Sequence, residues 1–216
     1  LVDQVLSDSG LARMYEEPRS FSLQGDSLEQ IERKILPKVD VEGLLAEDRK
    51  SDHELRGQEP LRFALATDVF YTLENSGATQ KLSDGSLWRL RIHSPEAKSH
   101  NLGIIRFDMP DGAKLSIYDP AHNHVKGPYT SRDRSTLGSL WTPIIKGDEI
   151  VVEVFWPVKV VKPVVEIRKV NQGYRDPEQA GGGFPEAPCN IDVVCTPQKD
   201  PWPDQIRAVG KYIFKG

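Results

Sequence analysis

The segment Trp88-Arg-Leu-Arg-Ile-His93 decides the fold class, because apolar and polar residues alternate along it without interruption. An alternation with period two is typical of a β-strand that has one apolar and one polar face. We therefore expect the three apolar side chains in a core, and the two arginines and the histidine on a face exposed to solvent.

The same alternation recurs on both sides of this segment, and turn-forming residues separate the repeats. Strands divided by a turn about every ten to twelve residues predict an antiparallel β-sandwich or jelly roll, with about eight strands between Leu61 and Val170. The other expected strands are a first strand that contains Phe63, Leu65, Val69 and Tyr71, and further strands at Ile105 to Met109, Leu115 and Ile117, Val152 to Trp156, and Val165 to Arg168, with turns at Asp84-Gly85, Pro110-Asp-Gly112 and Lys146-Gly-Asp148.

Residues 1–60 have a different pattern and are predicted to form a helical arm. Leu28, Ile31 and Ile35 have helical spacing, and Pro37 is expected to end that helix. Two placements of the arm remain open: it lies on another protein surface, or it packs under its own sandwich.

A second short helix is predicted from Val41, with Asp40 as its N-cap. The strongly charged residues 47–59 are interpreted as a solvated connector to the sandwich at residues 61–172.

Residues 173–188 are predicted to be a flexible linker and a site of proteolytic processing, because glycine and proline resist regular structure. The expected processing region contains Gly181, Gly182, Gly183, Ala187 and Pro188.

Composition excludes several classes of function. The formal net charge of −4, with both signs interspersed, argues against nucleic acid as the main partner. No apolar run is long enough to span a membrane. The chain begins at Leu1 without a basic and apolar leader, so we expect that any signal peptide has been removed or left out.

The two cysteines, Cys189 and Cys195, have three possible states: free thiols, a mutual disulfide, or disulfides with other partners. Their spacing is not that of a zinc site, and no histidine lies nearby in the sequence.

Histidines offer one candidate metal site, in which Asp119, His122 and His124 lie in a probable hairpin tip. Exposed turn histidines without a metal are the favoured interpretation. The sequence has no nucleophile motif of a serine hydrolase and no glycine loop for phosphate, so we predict no catalytic residue, metal or cofactor in this chain.

Trp88, Trp141 and Trp156 lie in predicted strands and could form an aromatic surface for glycans. Core packing is the favoured interpretation, because Trp88 and Trp156 are in register with the aliphatic residues of their strands.

The segment Cys189-Asn-Ile-Asp-Val-Val-Cys195, followed by Trp202 and Ile206-Arg-Ala-Val-Gly210, resembles the start of the mature catalytic domain of bacterial lysyl endopeptidase-like serine proteases. The upstream region resembles the propeptide of the same precursors. The matching phrases are Val39-Asp-Val41, Leu44-Leu-Ala-Glu-Asp48, Pro60-Leu-Arg-Phe63, Leu87-Trp-Arg-Leu-Arg-Ile92, Asn101-Leu-Gly103, Leu140-Trp-Thr-Pro143, Gly147-Asp148 and Val170-Asn171.

This resemblance implies a secreted bacterial zymogen with a trypsin-like catalytic domain that begins in residues 189–216. It implies that the propeptide assists folding, inhibits the protease and is then removed near the linker. Cys189 and Cys195 match cysteines that pair with partners further along the catalytic domain. The catalytic triad of the family lies beyond residue 216, so this chain is expected to be inactive alone.

One feature departs from the family, because neither Lys nor Arg occurs between Arg175 and Lys199. Self-processing after a lysine is therefore in doubt. Two alternative functions remain: a sandwich that binds glycan or protein, attached to a protease, and the N-terminal chain of a cleaved protease whose catalytic part is a separate chain.

Overall fold

The computed structural model describes residues 16–23, 27–55 and 62–176, which form two β-sheets packed face to face. None of the helices in these ranges is long and apolar enough to cross a membrane. The α-helix of the described residues, α1, spans Val41–Leu55, and short 3-10 helices span Arg19–Ser22, Leu28–Gln30 and Ser131–Asp133. The strands are β1 (Arg33–Ile35), β2 (Ala64–Thr72), β3 (Ala78–Lys81), β4 (Gly85–His93), β5 (Ser99–Asp108), β6 (Lys114–Tyr118), β7 (Val125–Tyr129), β8 (Leu140–Trp141), β9 (Ile145–Lys146), β10 (Glu149–Pro157) and β11 (Val164–Gly173).

The β-sandwich prediction is confirmed. One sheet has the order β1-β4-β10-β6-β7, with β3 also paired to β4, and the other has the order β2-β11-β5-β8, with β9 also paired to β5. Every pairing is antiparallel except that of β1 with β4. Between β2 and β11, eight strands have four or more residues, in agreement with the predicted number.

The core lies between the sheets and is built from the apolar positions of the alternating segments. Leu90 and Ile92 of β4 face Leu102 and Ile104 of β5 in one cluster, which continues through Val152 of β10. Burial of these side chains is the main stabilising contribution, since each fully buried aliphatic side chain contributes roughly 1.5–3 kcal/mol.

The predicted solvent exposure of the polar face of β4 is wrong. Arg89 is buried, and Arg91 donates from Nη1 to the carbonyl of Leu28 at 2.9 Å. The chain covers this face with its own N-terminal arm, which we define as residues 18–23 and 27–31. A polar β-strand face can therefore be buried when hydrogen-bonding partners lie above it.

The N-terminal arm is held by a buried polar cluster. The Ser20 hydroxyl lies 2.9 Å from the Tyr118 hydroxyl, and Tyr118 donates to Glu153 at 3.1 Å. Phe21 packs edge-to-face on Tyr118, with ring centroids 4.9 Å apart. Of the two placements considered for the arm, the structure shows packing on its own sandwich for these residues.

The helix predicted over residues 28–35 does not form. A 3-10 turn begins after Ser27, whose hydroxyl accepts from the Glu29 amide at 3.2 Å, and the chain then extends into β1. Pairing with the edge of β4 satisfies the backbone groups that a helix would otherwise satisfy internally. As a result Ile31 is 5% exposed and Ile35 is 63% exposed, although the helical pattern placed both on one face.

The second predicted helix is confirmed and is longer than expected. The Asp40 carboxylate accepts from the Gly43 amide at 3.0 Å, as an N-cap does. Helix α1 continues to Leu55, so the charged stretch interpreted as a connector is helical up to that residue.

Candidate functional site

The two outer faces of the sandwich differ in what covers them. The N-terminal arm packs on the six-stranded sheet, where Ile31, Tyr118 and Val151 form a small buried cluster. The outer face of the five-stranded sheet instead carries large apolar side chains in contact with solvent. Phe70, Ile105 and Trp141 are 53%, 47% and 46% exposed, and we call the sheet surface around them the open face.

An irregularity in β5 turns Ile105 outward. Ile104 is opposite Ile167 and Arg106 is opposite Glu166, so Ile105 has no residue opposite it on β11. Such a bulge bends the strand and changes the direction of a side chain. Ile104 is fully buried in the core, whereas Ile105 lies on the open face.

Trp141 lies flat on the open face because Gly103 leaves room for its ring. Gly103 and Trp141 are register partners on β5 and β8. A Cβ atom built on Gly103 would lie 2.6 Å from Cη2 and 2.7 Å from Cζ3 of Trp141. Glycine is thus required at this position for the indole to cover the strand.

Charged side chains on the open face pair with their neighbours on the same surface. Arg168 lies 4.9 Å from the ring centroid of Phe70 and 3.3 Å from the Glu166 carboxylate. Lys169 forms an ion pair with Asp68 across β11 and β2. The open face therefore combines exposed apolar groups with charges that are already neutralised locally, as protein-binding surfaces do.

A second feature, which we call the exit clasp, lies where the described chain leaves the sandwich. The Asp48 carboxylate of α1 accepts hydrogen bonds from Arg62 Nε at 2.9 Å, the Tyr174 hydroxyl at 2.7 Å and Arg175 Nη2 at 2.6 Å. The Tyr174 amide also donates to the carbonyl of Phe63 at 3.0 Å. The clasp joins α1, the residues before β2 and the residues after β11.

Burial and the neighbouring hydrogen-bond donors have opposite effects on the pKa of Asp48. Burial raises the pKa of Asp48, but the hydrogen bonds from Tyr174, Arg175 and Arg62 outweigh burial and hold that pKa below its ordinary value. Burial, together with the hydrogen bond to Asp48, raises the pKa of Tyr174 to about 12. Asp48 is thus ionised at neutral pH and binds the two guanidinium groups.

The histidines of the predicted hairpin tip have local partners. His122 stacks on Phe21 with ring centroids 3.9 Å apart, and the Asp119 carboxylate accepts from the backbone amides of Ala121 and His124. Asp119 therefore stabilises the turn. In the described part of the chain, no group of three or more acidic, histidine or cysteine side chains could hold a metal ion.

The three tryptophans divide between core and surface. Trp88 and Trp156 are buried in the main core, as their register predicts, and the Trp88 indole donates to the carbonyl of Ser76 at 2.7 Å. Only Trp141 of the three reaches solvent, so they do not form a common aromatic surface for glycans.

Within the described ranges, Ser94 and His100 form a serine–histidine hydrogen bond at 2.8 Å. Both side chains are buried, and burial lowers the pKa of His100 to about 4. A substrate cannot reach this pair, so it is part of the core and not a catalytic site.

The sites predicted from the sequence near the C-terminus lie outside the described residues. These are Cys189 and Cys195, and the processing region at Gly181, Gly182, Gly183, Ala187 and Pro188. Their disulfide partners and their cleavage remain predictions.

Sequence reasoning did not identify Phe70 or Ile105, although a signal for each exists. Val69-Phe-Tyr71 and Ile104-Ile105 place apolar residues at consecutive positions. In a strand, consecutive side chains point to opposite faces, so such runs indicate an apolar group on the outer face as well. No comparable local signal marks the clasp, because its members are distant in the sequence.

Comparison with known protein families gives a match over the sandwich. A family model described as the lysyl endopeptidase N-terminal domain matches residues 36–168. The match begins just before α1 and ends within β11, so it includes β2 to β10, the first five residues of β11 and all three apolar residues of the open face. The protein belongs to the lysyl endopeptidase N-terminal domain family.

Proposed function

We propose that this chain is the propeptide region of a secreted, trypsin-like serine endopeptidase zymogen, and that it assists the folding of the catalytic domain and inhibits it. The observation that carries the proposal is the family match over the sandwich. The segment from Cys189 to Cys195, which resembles the start of a mature protease, follows directly in the sequence.

The position of the core is consistent with a propeptide that folds before its protease. Both sheets and the main core cluster are formed by residues up to Gly173, and the clasp is complete at Arg175. In the proposed organisation, residues 173–188 link the sandwich to a catalytic domain that begins at Cys189. A folded propeptide would then offer a fixed surface to the unfolded catalytic domain.

Inhibition in this proposal arises because the bound propeptide blocks the active-site cleft of the protease. A propeptide that binds the folded protease more tightly than the unfolded one also stabilises it, and a stable protein–protein interface buries about 1,200–2,000 Å² in total. Cleavage in the linker and digestion of the propeptide would end the inhibition.

The clasp bears on where processing occurs. Arg175 is the last basic residue before Cys189, and its guanidinium is bound to Asp48. A trypsin-like protease must insert such a side chain into its own pocket, which the clasp opposes. The segment Gly181 to Pro188 contains neither Lys nor Arg. Processing in this segment therefore requires a protease that does not depend on these two residue types.

Amidase assays test the proposal. We expect the full chain to show no turnover of a lysine anilide, and to inhibit the cognate mature protease, whose sequence begins at Cys189, when the two are mixed. Turnover by the chain alone, or full protease activity in the presence of excess chain, would contradict the proposal.

A further inference from the structure

We infer that the open face of the five-stranded sheet is the surface on which the protease catalytic domain docks. This inference rests on the proposed function and adds the location of the contact, which the family match does not give.

The two outer faces of the sandwich differ, because the chain covers one of them and leaves the other exposed. The N-terminal arm already covers the outer face of the six-stranded sheet, where Tyr118 and Val151 are fully buried. The open face keeps Phe70, Ile105 and Trp141 in contact with solvent. Clustered exposed side chains of this size, and aromatic ones above all, are typical of binding surfaces.

Phe70, Ile105 and Trp141 belong to one continuous patch on the sheet. Trp141, Gly103, Lys169 and Asp68 are successive register partners across β8, β5, β11 and β2. Three strand spacings make this row about 14 Å wide. Phe70 and Ile105 lie within two residues of the row, on the outer strand β2 and on β5 respectively.

The charges on the open face indicate which kind of partner could bind there. The charges within the patch are neutralised on the sheet itself, by the pairs Arg168–Glu166 and Lys169–Asp68. A highly charged partner, such as a nucleic acid, would find few available charges on it. An apolar protein surface could cover Phe70, Ile105 and Trp141 without leaving a buried charge unpaired.

The proposed catalytic domain is covalently connected to the sandwich through the linker that follows β11. Strand β11 crosses the open face and leads directly to the clasp, after which the thirteen residues from Asp176 to Pro188 precede Cys189. A linker of this length spans at most about 45 Å. The centre of the face at Lys169 lies about 20 Å along β11 from Arg175. A catalytic domain that begins at Cys189 can therefore reach the open face, and the linker gives it a high effective concentration there.

Charge substitutions on the open face test the inference. Phe70→Glu and Ile105→Glu, each in the full chain, are compared with Leu137→Glu, which changes a residue that is 89% exposed on a loop outside the patch. The probe is the mature protease that begins at Cys189, and the readout is the inhibition constant for hydrolysis of a lysine anilide. We expect each open-face variant to inhibit at least about tenfold more weakly, and the loop variant to change by less than about twofold.

Hydroxyl-radical footprinting of the unmodified chain gives a second readout that does not depend on the folding of a variant. We expect oxidation of Phe70, Ile105 and Trp141 to fall several-fold when the protease is added, and oxidation of Leu137 to stay constant. Footprinting of the chain alone, over a range of concentrations, shows whether a second copy covers the same face.

The outcomes separate the two proposals. If the unmodified chain does not inhibit, the proposed function fails and the inference fails with it. If the chain inhibits but the protease leaves the footprint and the variants' inhibition constants unchanged, docking on the open face is wrong while the proposed function stands. Equal protection in the absence of protease, at concentrations where the chain self-associates, would assign the face to a dimer and overturn the inference.

Discussion

Asp48 illustrates how a single residue joins parts of the chain that are remote in sequence. Its carboxylate accepts from three donors, two of which are charged. Neither periodicity nor a motif predicts this cluster, because Arg62 and Arg175 are separated by the entire sandwich. The sequence indicates only that Asp48 belongs to a helix, and the fold determines which residues it contacts.

Replacing Asp48 tests the contribution of the clasp. Asp48→Asn keeps the size of the side chain but removes the charge that binds both arginines. We expect a loss of about 2 kcal/mol in the free energy of unfolding, since hydrogen bonds to charged groups contribute about 1.5–3 kcal/mol. For a chain of this length, this corresponds to a fall of about 4–8 °C in the melting temperature.

Asp84→Asn is the matched control, because Asp84 pairs with Arg19 in an exposed ion pair at 3.0 Å. Exposed pairs contribute little to stability, so we expect no measurable change. Equal melting temperatures for the two variants would show that the clasp does not stabilise the fold.

His100 gives a second prediction at the residue scale, on the pH dependence of stability. Burial lowers its pKa to about 4 from the ordinary value of 6.5. Between these values the unfolded chain binds a proton that the folded chain does not, so the free energy of unfolding falls as the pH decreases. The expected contribution is a loss of about 2 kcal/mol by about pH 5.

The measurement is urea unfolding at several pH values, with the slope against pH as the readout. His100→Gln should flatten the slope between about pH 6.5 and pH 5, whatever its effect on stability at neutral pH. His124→Gln, at an exposed turn position, should leave the slope unchanged. A slope that persists in His100→Gln would show that other groups cause it.

At the scale of secondary structure, most of the strands were predictable and the N-terminal arm was not. The alternation in β4 and β10 is a local property, so the sequence predicts these strands directly. The contact of Arg91 with the Leu28 carbonyl depends on the arm, which packs on β4 from a distant part of the chain. Residues 28–35 carry a helical pattern, but pairing of β1 with β4 overrides it.

Two isoleucines, one buried and one exposed, test this account of the arm. Ile31 is buried against Tyr118 and Val151, whereas Ile35 of β1 is largely exposed. Ile31→Ala is expected to lower the free energy of unfolding by about 2–4 kcal/mol through loss of buried contacts. Ile35→Ala should change it by less than about 0.5 kcal/mol.

Denaturant unfolding of both variants provides the measurement. The helical pattern places both side chains on one face and would give them similar effects. Two similar losses would therefore contradict the structure of the arm and support the helix.

At the scale of the whole molecule, the two outer faces of the sandwich differ in what covers them. One outer face is covered by the N-terminal arm, and the other is available for a partner. The sandwich was predictable because its strands alternate regularly. The open face was not identified, because its residues depend on a bulge at Ile105 and on the pairing of β8 with Gly103.

The proposed function depends on binding of the protease by the folded sandwich. Titration of the cognate mature protease with the full chain, with lysine anilide hydrolysis as the readout, tests this most directly. We predict that activity falls to a minimum at one chain per protease, and that it returns when the chain is digested. Undiminished hydrolysis at every ratio would contradict the account.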